Sequence, residues 1–181
     1  MKTMTLVRHA KSSWKEPMLQ DMDRPLNKRG QANAVMMGER LRSNQYVPER
    51  IFSSPAVRAE ETAHLFEEAL QIRTLKTRML KAGERGVVEL VPTLYTFNYE
   101  ELLGWIRSLD QSVDNFFMIC HNPAMTDLFN FLTLSHVEKI PTCGIAVLEL
   151  NITSWTQLSA GMALVKFYDF PKSDKKPSPL A

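Results

Sequence analysis

Apolar positions along the chain alternate between two spacings. A short run, "MTLVR" at residues 4–8, predicts a first strand. A polar stretch with two prolines follows over residues 11–30, and a loop of that length is either functional or without fixed structure. From a start within residues 26–30, Ala34, Met37 and Leu41 recur at i, i+3, i+7 and predict a helix. "RIFSS" predicts a second strand. Behind it Ala59, Ala63, Phe66 and Leu70 mark a second helix, with Pro55 near its first turn, where the missing N–H costs nothing. "VVELVPTLY" predicts a third strand that Pro92 confines to an edge or cuts short. Leu102, Ile106 and Leu109 mark another helix. The unbroken apolar run "FFMIC" suits a strand buried on both faces, and Pro123 opens a helix that turns Met125, Leu128, Phe129 and Leu132 inward. "GIAVLEL" and residues 155–167 read as closing strands. Strand, polar junction and helix repeat in that order, so the expected fold is a three-layer α/β/α sandwich on a mainly parallel sheet. One domain is expected over residues 1–171, with 172–181 a polar, proline-rich flexible tail.

Composition narrows the function classes. With 181 residues, 44% hydrophobic and 23% charged, the chain suits one globular domain with a substantial core. Its 22 basic and 20 acidic residues are too evenly balanced to imply a nucleic-acid surface. No apolar run approaches the length of a membrane span or signal segment, which leads us to expect a soluble, cytoplasmic protein without membrane partners. Cys120 and Cys143 are far apart and read as buried free thiols. Four dispersed histidines without clustered carboxylates give no metal site, and no cofactor is expected.

The chemistry-bearing residues fall at the junctions. Arg8 and His9 follow the first strand, Ser53, Ser54 and Arg58 the second, and His121 and Asn122 the "FFMIC" strand. If these strands are parallel, their carboxyl ends share one edge, which is where open α/β sheets bind ligands. Two guanidiniums and two imidazoles around one point repel each other unless an anion lies between them, and guanidinium geometry suits phosphate oxygens. A neutral histidine there is a competent nucleophile toward phosphorus, and a covalent intermediate divides the displacement into two easier steps.

The segments "LVRHAKSSW", "DMDRPLNKRG", "FSSPAVRAEETA", "ICHNPAMTDL" and "IPTCGIAVLEL" together resemble the histidine phosphatase superfamily, which is phosphoglycerate mutase-like in fold, and within it the SixA-type phosphohistidine phosphatases. The resemblance covers residues 4–171. It implies that His9 is the nucleophile and that Arg8, Arg58 and His121 bind the phosphoryl group. By their own positions Ser12 is either a further substrate contact from the loop or part of a local turn, and Asn122 either a substrate contact or a helix cap. Ala10 stands where the wider family has glycine, and Cys120 where it has glycine before the late histidine. The larger mutases carry a helical insertion with an acidic proton donor after the second helix. The short sequence between Leu70 and the third strand leaves no room for a large one.

The proton donor is therefore open. Asp21 and Asp23 in the long loop are candidates, although Asp23 alternatively pairs with Arg24 or Arg29, and Glu84 and Glu89 are weaker candidates. Arg58 could instead pair with Glu61, and His121 or Asn122 could merely cap the following helix. His64 and His136 match no motif. The expected activity is metal-independent phosphatase action through a phosphohistidine enzyme intermediate, on phosphohistidine in a protein. The alternatives are a small-molecule phosphomonoesterase acting on a phosphorylated metabolite and a non-catalytic phosphate-binding module. Inorganic phosphate should bind in each case.

Overall fold

The computed structural model describes residues 1–72 and 87–173. Six strands form one sheet: β1 (Lys2–Arg8), β2 (Arg50–Ser53), β3 (Val88–Leu90), β4 (Asn115–Cys120), β5 (Ile145–Leu150) and β6 (Ala163–Asp169), in the spatial order β3-β2-β4-β1-β5-β6. The first four in that order are mutually parallel, whereas β5 runs antiparallel to both β1 and β6. The sheet is thus mixed, with a parallel majority that includes every strand whose end carries a candidate residue.

Alternation along the strands divides the apolar residues between two cores. Met4, Leu6, Phe116, Met118 and Leu148 face α3 (Tyr99–Arg107) and α4 (Ala124–Thr133). Val7, Ile51, Phe117, Ile119 and Val147 face α1 (Lys28–Ser43) and α2 (Val57–Ala69). Phe66 at the centre of the second core is wholly buried, so its truncation to alanine would cost about 3–5 kcal/mol. The expected three layers are observed among the described residues.

Several boundaries differ from expectation. Pro55 precedes the α2 N-cap, Ala56, and so lies outside the first turn. β3 ends at Leu90, and Pro92 begins a 3-10 turn because it has no N–H to extend the ladder. Residues 155–157 form a 3-10 turn, not a strand. Trp155 is buried there and donates its indole N–H to Val113 O at 2.8 Å, an anchor that strand pairing would not supply. The expectations for Glu84 and for the tail beyond residue 173 lie outside the described residues.

Two backbone anchors fix the site's edge. The α1 N-cap, Asn27, accepts from Gly30 N and donates its own backbone N–H to Lys11 O at 2.9 Å. Gly30 packs so closely there that a Cβ would lie 2.2 Å from Lys11 O, which excludes any other residue. On the other side of β1, Cys143 N is shared between Arg8 O at 3.1 Å and His9 O at 3.2 Å, tying the segment before β5 to the end of β1.

Candidate active site

The carboxyl ends of β1, β2 and β4 bring Arg8, His9, Ser54 and His121 to one edge, and the first turn of α2 adds Arg58. His9 Nδ1 lies 2.8 Å from Ala10 O. A carbonyl only accepts, so Nδ1 carries the proton and Nε2 presents a lone pair. The His9 ring is nearly buried, and burial lowers its pKa to about 4. The Ala10 carbonyl opposes that shift, and Arg58, Arg8 and Arg24 add to it. At neutral pH His9 is therefore an uncharged base, kept so first by desolvation and second by the neighbouring cations.

The two guanidiniums are held differently. Arg8 Nη1 donates to the Ile140 carbonyl at 2.7 Å, and its Nε finds no partner among the described residues. Arg58 donates to both the backbone carbonyl and the carboxylate of Asp21, the latter at 2.7 Å. Asp21 also takes Arg24 Nη1 at 2.8 Å and the Tyr95 hydroxyl at 2.9 Å. Partial burial works against its ionisation, but the hydrogen bonds from Arg58, Tyr95 and Arg24 outweigh it and hold its pKa below the usual aspartate value.

His121 is enclosed. Its ring lies 5.0 Å from that of His9 and meets Tyr95 edge-on at 5.3 Å, with Phe97 at 6.1 Å. Nδ1 faces Arg58 Nη2 at 3.5 Å, so it is the acceptor. Nε2 then donates to Ser54 Oγ at 2.8 Å. Burial, reinforced by His9 and Arg58, lowers its pKa to about 3. Both rings are neutral in the absence of a ligand, and an incoming anion would favour protonation of either.

In front of these groups opens a cleft of about 410 Å³ lined by Arg8, His9, Ser12, Arg24 and Arg58, with Lys11, Trp14, Lys139 and Thr142 at its sides. The Ser12 hydroxyl accepts from Arg24 Nη2 at 2.6 Å, leaving its own proton for a ligand. Of the two readings of Asn122, the cap is not seen. Asn122 donates to Ile140 O at 3.1 Å, the same carbonyl that holds Arg8, and the N-cap of α4 is Pro123 without a side-chain bond. Asp23 is exposed on the outside of its turn, and Arg24 pairs with Asp21 in its stead. Glu61 accepts from Leu26 N and not from Arg58. The sequence offered no signal for Tyr95, or for Thr62, whose hydroxyl accepts from Ala10 N and donates to Arg58 O. Arg24 was legible only as a loop charge. Cys120 and Cys143 are buried, and burial pushes the Cys120 thiol to about 12, so neither is a nucleophile. Among the described residues no group of three or more His, Cys, Asp or Glu side chains is placed to hold a metal, and no helix is long and apolar enough to cross a membrane.

A family model for the histidine phosphatase superfamily (branch 1) matches residues 4–111. The chain belongs to that superfamily. As a histidine phosphatase it resembles the SixA branch in fold. The SixA protein of Agrobacterium tumefaciens, assigned as a phosphohistidine phosphatase, superposes with a TM-score of 0.72 at 23% identity, covering 94% of this chain and 98% of that one. A protein histidine phosphatase SixA complexed with tungstate superposes at 0.73 and 20% identity, covering 96% and 99%. An uncharacterized chloroplastic protein of Arabidopsis thaliana is 29% identical over 164 residues, 87% of this histidine phosphatase and 70% of the relative. Membership in this superfamily supports a phosphatase activity.

Proposed function

We propose that the protein removes phosphoryl groups from phosphohistidine in a protein substrate, with His9 as nucleophile. The observation that carries the reading is the His9 ring itself: it is neutral, its Nδ1 proton is committed to Ala10 O, and it lines a cleft shared with the guanidiniums of Arg8 and Arg58. Nε2 attacks phosphorus in line, so an N–P bond forms to His9 as the bond to the leaving group breaks. Arg8 and Arg58 neutralise the equatorial oxygens, aided by the Ser12 hydroxyl and by His121, whose Nδ1 becomes a donor when it takes a proton. Water then attacks the phosphorylated His9, and inorganic phosphate departs with the ring restored. No step requires a metal ion.

The leaving group supports phosphohistidine over an alkyl ester. A departing alkoxide needs an acid, whereas an imidazole leaves as a neutral ring after protonation by water. Asp21, the candidate donor nearest the cleft, is held ionised by Arg58, Tyr95 and Arg24 and suits the positioning of Arg58 better than proton delivery. The complex of a SixA relative with tungstate, an oxyanion, is consistent with a site for tetrahedral anions. The test is a parallel measurement of kcat/KM on a phosphohistidine peptide and a phosphoserine peptide of the same sequence. The reading expects the former to exceed the latter by at least 10²-fold, the lower bound for general acid catalysis where it is needed, with activity unaffected by EDTA. An equal or reversed ratio would install the phosphomonoesterase in its place.

A further inference from the structure

The cleft carries more positive charge than one phosphoryl group can use. Arg8, Arg24 and Arg58 and the neutral His9 line it, and among the described residues no carboxylate does. Asp21 answers Arg58 and Arg24. A phosphoryl dianion drawing on Arg8 and Arg58 thus already balances this set. Lys11 and Lys139 remain, both exposed and neither in an ion pair among the described residues. The whole chain is almost neutral, 22 basic against 20 acidic residues, so the surplus is local.

These two lysines are not on wandering loops. The Lys11 backbone is packed against Gly30 and bonded to Asn27 N, and its neighbour Ser12 makes a bridge to Leu26. Lys139 directly precedes Ile140, whose N–H donates to Thr126 Oγ1 at 3.1 Å and whose carbonyl holds Arg8 and Asn122. Each lysine thus leaves the backbone at a fixed point on the cleft's border. Beyond Lys139 the character changes. A second hollow of about 300 Å³, which shares Arg8 and Lys139 with the cleft, is lined by Asp127 and Glu138. The excess positive charge of the cleft therefore falls toward neutral past Lys139, where Asp127 and Glu138 balance Arg8 and Lys139. A substrate segment lying across it meets excess positive charge at its cleft end only.

We propose that Lys11 and Lys139 are specificity-determining residues that select a polypeptide with acidic side chains on one flank of its phosphorylated residue. The proposal rests on the phosphohistidine-protein reading. Two rim lysines on a partly exposed surface are expected to change kcat/KM about five- to tenfold, an effect that fades as salt shortens the electrostatic range.

The test uses free phosphohistidine and four phosphohistidine peptides of one length, with two glutamates before the phosphorylated residue, two after it, glutamines at all four positions, or lysines at all four. Wild type should turn over one of the two glutamate peptides about five- to tenfold faster than the glutamine peptide at low salt, and the lysine peptide slowest. The ranking should flatten by about 0.5 M salt. In the Lys11→Glu, Lys139→Glu double variant the order of glutamate and lysine peptides should invert. Circular dichroism and turnover of free phosphohistidine serve as controls for folding and for the chemical step. A ranking that ignores flanking charge, or one unchanged in the double variant, overturns the proposal. Loss of all phosphohistidine turnover in wild type, free and peptide alike, would instead overturn the reading on which it rests.

Discussion

The two sides of the phosphoryl site are built from different materials. At the end of β1, Arg8 is held by a carbonyl and its Nε has no partner among the described residues, and His9 is fixed by the carbonyl next along the chain. At the start of α2, Arg58 is answered by a carboxylate that also collects Arg24 and Tyr95. A carbonyl orients a guanidinium without cancelling its charge. A carboxylate does both. The β1 side is therefore already charged for an anion, whereas the α2 side must exchange or share its partner when the anion arrives.

Removing the uncancelled charge should do the most damage. Arg8→Ala is expected to lower kcat/KM about 10²- to 10³-fold, the usual cost of one preorganised donor aimed at transition-state charge, with the fold intact by circular dichroism. A loss under tenfold would mean that the β1 side is not the main grip.

Acid should expose what the two sides share. His9 and His121 titrate near 4 and 3 in the fold, against an ordinary value of 6.5 when unfolded. Between those limits the unfolded chain binds more protons, so stability falls as pH drops from about 6.5 toward 4 and is fully present above 6.5. For His9 alone the loss is about 3 kcal/mol. Urea midpoints for wild type and His9→Asn from pH 7 to 4.5 check this, and the variant should lose less. Saturating phosphate should flatten the wild-type curve, because an anion in the cleft beside His9 favours its charged form. Parallel curves for the two proteins would remove His9 from the account.

The smallest effect tests the carboxylate. Asp21→Asn leaves a side chain of similar shape but releases Arg58 from a half-exposed ion pair, so inorganic phosphate should bind up to about fivefold tighter. Calorimetry decides between that outcome and weaker binding, which would show that orientation of Arg58 matters more than its charge.

How much of this the chain reveals follows from where each interaction is encoded. Arg8, His9, Arg58 and His121 were legible because each adjoins a recognisable apolar element, and parallel strands place such junctions on one edge. The two cores were legible from period alone. Tyr95 and Thr62 were not, because their roles consist of contacts to residues 74 and 52 positions away. The choice between Asp21 and Asp23 turns on a 3-10 turn of three residues that presents the first carboxylate to Arg58, and no periodicity signals it. Trp155 reads as part of a strand because a buried aromatic on a one-turn helix and one on a strand look alike in sequence.

The most direct measurement on the central claim is rapid quench of the protein with a 32P-labelled phosphohistidine peptide into alkali, followed by peptide mapping. An alkali-stable, acid-labile phosphoryl group on the peptide containing His9 is expected, formed and lost at rates consistent with kcat and absent in His9→Ala. No covalent species in wild type, together with full turnover by His9→Ala, would contradict the account.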